Sequence, residues 1–525
     1  MSTPAQPSIE TTTGKKPKKT ETERQLRGSS LLLVGRILSK GVGFVVQVLT
    51  VRYLAVSDYG AFAYALSIVA LGETFATFGL DRAVTRFLPI YHERRDYGKL
   101  FGTLFLVLST IASLGLGMIL VFYGLQDFIG QNFINDQQAL SLLLILVFLA
   151  PVQALDTLLN GLFAVFSRPR AIFFRKYVLG PILKLSVVLL LIGGGATVYF
   201  LAWGYLAAGL IAVVIFSVVL VRVLQQQGLF KHFSRGQLQL PVRELLSFTV
   251  PLLTSDLVYV FMGSVDAILL EYFQGTSDVA ALRAVQPMAK LNQIVLASFG
   301  LLFTPAAARM FAQNNTKGIN NLYWQNAVWI AVASFPVFAL TFSLAQPITI
   351  LLFEERYADS AIILALLSLG YYFNAALGQN GLTLKVFGKV RYVMVINILA
   401  AVLNVVANLL LIPRFGAMGA AVGTFITLII FNILKQVGLS MGTGISLLDR
   451  DYYRVYALIG LGAIGLLLLQ LLTAAPWYVS VVLAGFVSLA VVVLNRDSLN
   501  VENTFPELLR LPLMPYIFGK KDPNS

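Results

Sequence analysis

Two groups of polar and charged residues lie inside segments that are apolar enough to cross a membrane. The first group has spacings of four, three and four residues: Arg36, Lys40, Gly43 and Gln47. Side chains at these spacings share one face of an α-helix. Because a cation at mid-bilayer costs at least about 2.5–3.5 kcal/mol, this face should meet a bundle interior or a water-filled cavity. The stripe therefore predicts a site for an anion.

The second group forms a similar stripe in a later apolar segment: Arg283, Gln286, Lys290 and Gln293. Pro287 lies within this stripe, and a proline removes the backbone donor that would bond the carbonyl of Arg283. A helix with a free carbonyl and a polar face suits the wall of a cavity. Arginine binds phosphate-like anions through two parallel hydrogen bonds, and lysine binds them as a point charge.

Acidic residues accompany these cations inside the membrane segments. One face of another helix carries Asp256, Tyr259 and Asp266, and Glu73 lies in the second apolar segment. We expect Tyr259 to contact a polar ligand, and the three acids to bind Na⁺ or H⁺ that is coupled to transport. The alternative is that acids and cations neutralise one another between packed helices. The pairs that would do so are Arg36 with Asp256, Lys290 with Asp266, and Lys184 with Asp156.

The composition places these residues in a membrane protein. Of 525 residues, 57% are hydrophobic and 12% are charged, whereas soluble domains have about 25% charged residues. The mean hydropathy is +0.79. The absence of cysteine excludes disulfides, thiol catalysis and cysteine-ligated zinc, and the two histidines fall in predicted loops. No cofactor is predicted apart from a coupling ion.

Fourteen helices are predicted to span the membrane. Their bounds are 30–54, 59–80, 100–124, 139–163, 174–194, 198–222, 245–270, 281–305, 323–344, 358–382, 391–412, 417–438, 453–472 and 477–495. Of the 39 Lys and Arg residues, 31 fall in the tails, in the loops on the side of the N-terminus or at the helix ends that adjoin these loops. Two, Arg356 and Arg414, fall in loops on the other side, and 6 lie elsewhere inside helices. This asymmetry predicts that both termini are cytoplasmic. The net charge of +14 therefore reflects topology and not a nucleic-acid partner.

The two halves of the chain match each other at an offset of about 220 residues. Asn-Gly-Leu at 160–162 falls on Asn-Gly-Leu at 380–382, and Asp58 falls on Asp278. Six helices per copy give both copies the same orientation, so we predict a parallel repeat. The predicted units are a basic disordered tail (1–29), a six-helix bundle (30–224), an amphipathic cytoplasmic linker (225–243), a second six-helix bundle (244–440), helices 13 and 14 (441–496) and a cytoplasmic tail (497–525).

Several motifs in this order resemble one known family. The chain reads YLAVSDYGAFAYALS at 53–67, FGLDRAVTRFLP at 78–89, NGLFAVFSRPR at 160–170 and NGLTLKVFGKVR at 380–391. Over most of residues 27–495 it is similar to polysaccharide-biosynthesis flippases of the Wzx type, in the multidrug/oligosaccharidyl-lipid/polysaccharide superfamily. The resemblance implies an all-α fold like that of MATE transporters and lipid II flippases. In related lipid II flippases, cations on the first and eighth helices line the cavity.

The resemblance also implies a function. Family members move polyprenyl-pyrophosphate-linked oligosaccharides across the cytoplasmic membrane by alternating access. Cations at Arg36 or Lys40 and at Arg283 or Lys290 would then hold the pyrophosphate, while Gln47, Gln286 and Tyr259 would meet the sugars. The implied partners are the lipid-linked oligosaccharide, the bilayer, and the polysaccharide polymerase and glycosyltransferases of the same pathway.

Two other classes of function remain open. A membrane glycosyltransferase or polymerase is disfavoured because the predicted outer loops are short, and no phosphate loop or metalloprotease motif occurs. A cation-coupled drug or metabolite antiporter of the same superfamily is the stronger alternative. Such a protein should favour acids in its cavity. Here six cations face four acids within the predicted spans, which favours an anionic substrate.

Overall fold

The structure is a computed structural model of the 525-residue chain. It describes residues 21–166, 169–233, 238–473, 475–499 and 501; within the helices, the side chains of 21–34, 37, 169, 251–252, 254–256, 258–259 and 301–302 are outside the described part. Most of the predicted tails at 1–29 and 497–525 therefore lies outside the described residues. Every regular element within the described ranges is a helix, as the sequence predicts.

Ten helices make up what we call the first half of the protein. They are α1 (Glu21–Tyr53), α2 (Val56–Thr77), α3 (Leu80–Glu93), α4 (Tyr97–Gly124), α5 (Gln126–Asn132), α6 (Gln137–Leu146), α7 (Leu149–Val165), α8 (Pro169–Ile172), α9 (Gly180–Gly193) and α10 (Val198–Gln226). A π-helical segment, Phe173–Leu179, joins α8 to α9. The predicted linker begins at the end of α10 and contains a short 3₁₀ turn, Leu229–His232.

Eight helices make up the second half, and three more follow it. The second half comprises α11 (Val242–Gln274), α12 (Thr276–Lys290), α13 (Ile294–Ala312), α14 (Thr316–Phe338), α15 (Ala345–Phe353), α16 (Ser360–Ala376), α17 (Asn380–Val386) and α18 (Val390–Thr443). The last three helices are α19 (Tyr453–Thr473), α20 (Trp477–Leu494) and α21 (Arg496–Leu499). Short π or 3₁₀ turns connect α12 to α13 and α14 to α15.

The described part of the chain contains ten helices that are long and apolar enough to cross a membrane, or eleven if the bent pair Thr276–Gly300 and Phe303–Ala312 is one span. The protein is therefore a multi-pass membrane protein. The 54-residue α18 is not one straight rod, because Gly416 has φ 54° and ψ −135°. The Tyr392 hydroxyl donates to the Leu434 carbonyl at 2.7 Å, so the two parts of α18 fold back on each other. The count of fourteen spans stays a prediction.

The structure adds a helix where the sequence predicts a cytoplasmic loop at 81–99. Phe78 and Gly79 have φ values of 49° and 67°, which end α2 and allow α3 to leave in a new direction. Leu80, Val84 and Leu88 recur at helical spacing and are buried. The intervening arginines made the segment resemble a charged loop, although its apolar positions have the period of an amphipathic helix. His92 therefore lies on α3 and not in a loop.

The two halves meet where α2 crosses α11 and α12. Gly60 of α2 lies so close to the Thr276 carbonyl of α12 that a Cβ atom there would overlap it. Small residues allow helix backbones to approach this closely in membrane proteins. A backbone carbonyl cannot rotate away as a side chain can, so this contact has no room for a larger residue.

We predict that Gly60→Ala lowers the stability of the folded protein by about 1–3 kcal/mol, because the added methyl group forces the halves apart. The melting temperature of detergent-solubilised protein, followed by size-exclusion chromatography, measures this effect. Gly485→Ala is the matched control, because no atom lies within 4 Å of a Cβ at this helical position. Equal melting temperatures for the two variants would contradict the close approach.

Candidate functional site

A cavity of about 620 Å³ with several charged residues in its walls lies among helices of the first half. Its walls come from α1, α2, α7, α9, α10 and the π-helical segment, and its charged residues are Glu73, Asp156, Arg175, Lys176 and Lys184. Three cations thus face two carboxylates. We call this space the N-half cavity.

Arg175 and Asp156 form an ion pair at one wall of the N-half cavity, in which the arginine is buried and the aspartate side chain is 39% exposed. The Arg175 side chain is 1% exposed, and its guanidinium donates to both the carboxylate and, at 2.7 Å, the backbone carbonyl of Asp156. The guanidinium also lies 5.6 Å from the centre of the Phe216 ring. Because a buried charge requires a counter-charge, this pair holds the π-helical segment against α7.

Glu73 reaches the same cavity from α2. Its Oε1 accepts a hydrogen bond of 2.9 Å from the Thr157 hydroxyl of α7. The Glu73 carboxylate is thereby fixed between two helices, and Thr157 and Asp156 are neighbours on α7. The acids of the cavity are therefore each held by a partner from the protein.

Lys184 differs from the other charges of the cavity. Its side chain is exposed, it lines the cavity, and its ammonium lies 5.2 Å from the centre of the Tyr205 ring. Asp156 and Glu73 influence it electrostatically, but no described residue forms an ion pair with it. Asp156 is paired with Arg175 instead, which corrects the expected pairing of Lys184 with Asp156. Lys176, on the π-helical segment, is a second exposed cation in the cavity.

Two of the residues predicted for the site line the N-half cavity: Gln47 and Glu73. The Gln47 amide also donates to the carbonyl oxygens of Arg283 and Ala284, at 3.2 and 2.9 Å. The Tyr59 hydroxyl donates to the same Arg283 carbonyl at 3.3 Å. This is the carbonyl that Pro287 frees, so the freed acceptor joins the first half to the second.

The other predicted site residues whose side chains the structure describes lie outside the lining of this cavity. Arg36 and Lys40 are exposed on α1. Arg283 donates to the Gln286 side chain at 2.7 Å and to the Gly263 carbonyl at 2.8 Å. These contacts hold the guanidinium within the second half.

Lys290 and Asp266, the two charges of the second half that were expected to pair, do not form this pair. Lys290 lies 6.0 Å from the centre of the Tyr371 ring, and Asp266 is 2% exposed. Both residues are described and they form no ion pair with each other. The side chains of Asp256 and Tyr259 lie outside the described residues, so their predicted roles, and the pair Arg36–Asp256, stay predictions.

Sequence reasoning missed several polar residues of the cavity, among them Gln153, Arg175, Lys176 and Tyr205. Arg175 and Lys176 were counted as cytoplasmic charges because they precede the apolar run of the predicted fifth helix. Their position next to this apolar run could have indicated a place in the cavity, since a cation one turn from a membrane span can point into the bundle. The N-half cavity lies within the first half and not between the halves, because α2 packs directly against α11 and α12.

Two family models and two relatives match the chain over long stretches. The family model described as "Polysaccharide biosynthesis protein" matches residues 25–311, and the model described as "MatE" matches residues 251–410. The chain is 23% identical over 420 residues to an uncharacterized membrane protein of Methanocaldococcus jannaschii, covering 77% of this chain and 81% of the relative. It is 20% identical over 457 residues to stage V sporulation protein B of Bacillus subtilis, covering 83% and 87% of the two chains.

Solved structures share the fold. A lipid II flippase MurJ in an inward closed conformation matches with a TM-score of 0.68 and 14% identity, covering 88% of this chain and 98% of MurJ. An inward-facing multidrug resistance MATE family transporter matches with a TM-score of 0.62 and 14% identity, covering 77% of this chain and 95% of that transporter. These likenesses show the fold, and the two family models support the predicted superfamily.

We predict that Asp156→Asn destabilises the protein by about 1–3 kcal/mol, because it leaves the buried Arg175 without a counter-charge, while the 39% exposure of the Asp156 side chain screens the pair. The double variant Asp156→Asn with Arg175→Met should recover much of this loss. Lys184→Met is the control and should change stability little, since it breaks no ion pair. Thermal unfolding in detergent measures all three variants, and equal melting temperatures for Asp156→Asn and Lys184→Met would contradict the anchoring role of the pair.

Proposed function

Because the chain belongs to the polysaccharide biosynthesis protein family, whose model matches residues 25–311, we propose that it is a flippase for lipid-linked oligosaccharides. It would move polyprenyl-pyrophosphate-linked sugars from the cytoplasmic to the outer leaflet of the cytoplasmic membrane. No bond is made or broken in this step. The similarity of the fold to that of a lipid II flippase supports the lipid-linked class of substrate.

The observation that carries this proposal is the position of Lys184. This cation lies in a cavity of a membrane-embedded bundle without an ion-pair partner among the described residues. An unpaired charge in such a place is costly, so it is retained where a ligand supplies the counter-charge. A pyrophosphate brings about two negative charges, which Lys184 and Lys176 would meet as two point charges.

The other residues of the cavity suit the remaining parts of the ligand. Gln153 and Gln47 offer amides for sugar hydroxyls, and the face of Tyr205 offers an aromatic surface. The paired Arg175 and Asp156 keep one wall rigid. The polyprenyl chain would stay in the bilayer, since its transfer out of hydrocarbon is unfavourable.

The residues predicted from sequence keep proposed roles in the cycle. Arg36 and Lys40 lie on α1 before the cavity-lining Gln47, where they would attract the anionic headgroup at the cytoplasmic entrance. Arg283, Gln286, Lys290 and Tyr259 would contact the headgroup after the halves rearrange. Glu73, Asp256 and Asp266 are the candidates for coupling to Na⁺ or H⁺. The pathway's glycosyltransferases and polymerase would supply and consume the substrate.

A cation-coupled antiporter of drugs or metabolites is the second candidate. The match of the MatE model to residues 251–410 and the carboxylates of Glu73 and Asp156 favour it. An antiporter would use these acids to bind organic cations. Lys184 and Lys176, which have no ion-pair partner among the described residues, argue for an anion instead.

We predict that Lys184→Gln lowers the rate of glycolipid translocation by about tenfold or more, because the charge that holds the pyrophosphate is lost. Lys184→Arg should retain much of the rate. Proteoliposomes with a fluorescent polyprenyl-pyrophosphate-linked sugar measure the rate by quenching from outside. Lys231→Gln is the control, because Lys231 is an exposed cation in the linker away from the cavity.

The same vesicles separate the two candidates. The flippase predicts translocation of the labelled glycolipid and no efflux of a cationic dye under Na⁺ or pH gradients. Dye efflux that depends on Glu73, with no glycolipid movement, would replace the flippase with the antiporter.

A further inference from the structure

At the end of the bundle where α1 stops, each half of the protein contacts the end of a helix from the other half. We call this the outer end, as the positive-inside pattern assigns it. The last carbonyl groups of a helix lack partners within the helix and carry a partial negative charge. Donors from elsewhere in the protein can therefore cap them.

Arg356 of the second half caps α1 of the first half. Its guanidinium donates to the carbonyl oxygens of Leu54 at 2.8 Å and Val51 at 3.0 Å, and also to that of Arg52. Arg356 follows α15 in a short 3₁₀ turn. A cation is the group that suits the C-terminal end of a helix dipole.

Asn135 of the first half caps α11 of the second half. Its amide donates to the carbonyl oxygens of Tyr272 at 2.8 Å and Glu271 at 3.3 Å. The Glu271 side chain, which is fully buried, accepts in return from the backbone amides of Asn135 and Asp136 at 2.8 and 3.2 Å. Thr276 then donates to the Asp136 carboxylate at 2.9 Å.

The two caps lie at equivalent positions in the chain. A shift of 220 residues places Val51 on Glu271 and Arg52 on Tyr272, the carbonyls that are capped. The same shift places Asn135 on Glu355, the neighbour of Arg356. The caps are therefore reciprocal: the segment before each half's fourth predicted span caps the first helix of the opposite half.

The capping contacts differ in strength from the ion pairs beside them. Glu354 bridges Arg52 at 3.3 Å and Arg356 at 3.4 Å, but the side chains of Arg52 and Glu354 are 47% and 45% exposed. Half-exposed ion pairs contribute little. Of the contacts at the outer end, the fully buried Glu271 is the one best shielded from solvent.

We propose that these reciprocal caps form the outer gate of the transport cycle, an inference that rests on the proposed function. They join the halves at the outer end, above the Gln47 and Tyr59 contacts to Arg283. Separating the halves must break both caps together, because each one spans the interface. Water that enters between the halves can then hydrogen-bond the freed carbonyls. The outward-open state is therefore populated as a minor state, although the closed state is favoured.

Labelling of a single cysteine tests this gate, and the natural chain supplies no other thiol. Thr50→Cys places the thiol in the N-half cavity near the outer end, where Thr50 is 2% exposed. A membrane-impermeant maleimide is added to intact cells, and the total thiol is measured after denaturation. Arg356→Ala should speed labelling by about tenfold, and adding Asn135→Ala should speed it further.

Matched variants make the result specific. Arg414→Ala removes the other cation predicted for the outer loops, and Glu354→Gln removes the half-exposed ion pairs; both should leave labelling nearly unchanged. In inverted vesicles the gate variants should label more slowly, since opening outside closes the cytoplasmic side. A variant that is labelled fast from both sides is misfolded. In that case the single variant Asn135→Ala tests the gate, with an expected rise of a few-fold in the rate of labelling from outside.

Unchanged outside labelling in Arg356→Ala, Asn135→Ala and the double variant would overturn the gate. The assay needs no substrate, so a failed glycolipid assay with accelerated labelling would reject the proposed substrate and keep the gate. Normal translocation with unchanged labelling would reject the gate and keep the flippase.

Discussion

A positive charge inside a bilayer must be solvated or paired, and this requirement explains the arrangement of the first half. Arg175 is paired with Asp156 and Glu73 is held by Thr157, so the acids that could neutralise Lys184 are already engaged. Lys184 is left facing a cavity beside Tyr205. The π-helical segment and α9 thus present two lysines, Lys176 and Lys184, to a ligand that enters the cavity.

The closure of the outer end depends on a different constraint, the unsatisfied carbonyls of helix ends. Each half supplies a donor for carbonyl groups at a helix end of the other half: Arg356 for α1 and Asn135 for α11. Pro287 adds a third acceptor by freeing the Arg283 carbonyl for Gln47 and Tyr59. Backbone groups that are unpaired within one half therefore become the contacts between halves.

The sequence predicted what depends on local pattern and missed what depends on how helices meet. Hydropathy predicted a helical multi-pass membrane protein. Gln47 and Glu73 line the N-half cavity, and their roles in binding and coupling stay predictions. Arg175 was counted with the loop cations, because the number of residues to the next span does not reveal a π-helical turn that points a side chain inward. The pairing of Asp156 with Arg175 and not Lys184 is likewise decided by tertiary packing, which no spacing rule contains.

The central claim is that Lys184 in the N-half cavity binds an anionic lipid headgroup. A cryo-electron microscopy structure with a bound polyprenyl-pyrophosphate-linked sugar tests it most directly. The account predicts phosphate oxygens within hydrogen-bonding distance of the Lys184 ammonium, with Arg175 still paired to Asp156. A headgroup bound elsewhere, with Lys184 turned onto Glu73 or Asp156, would contradict it.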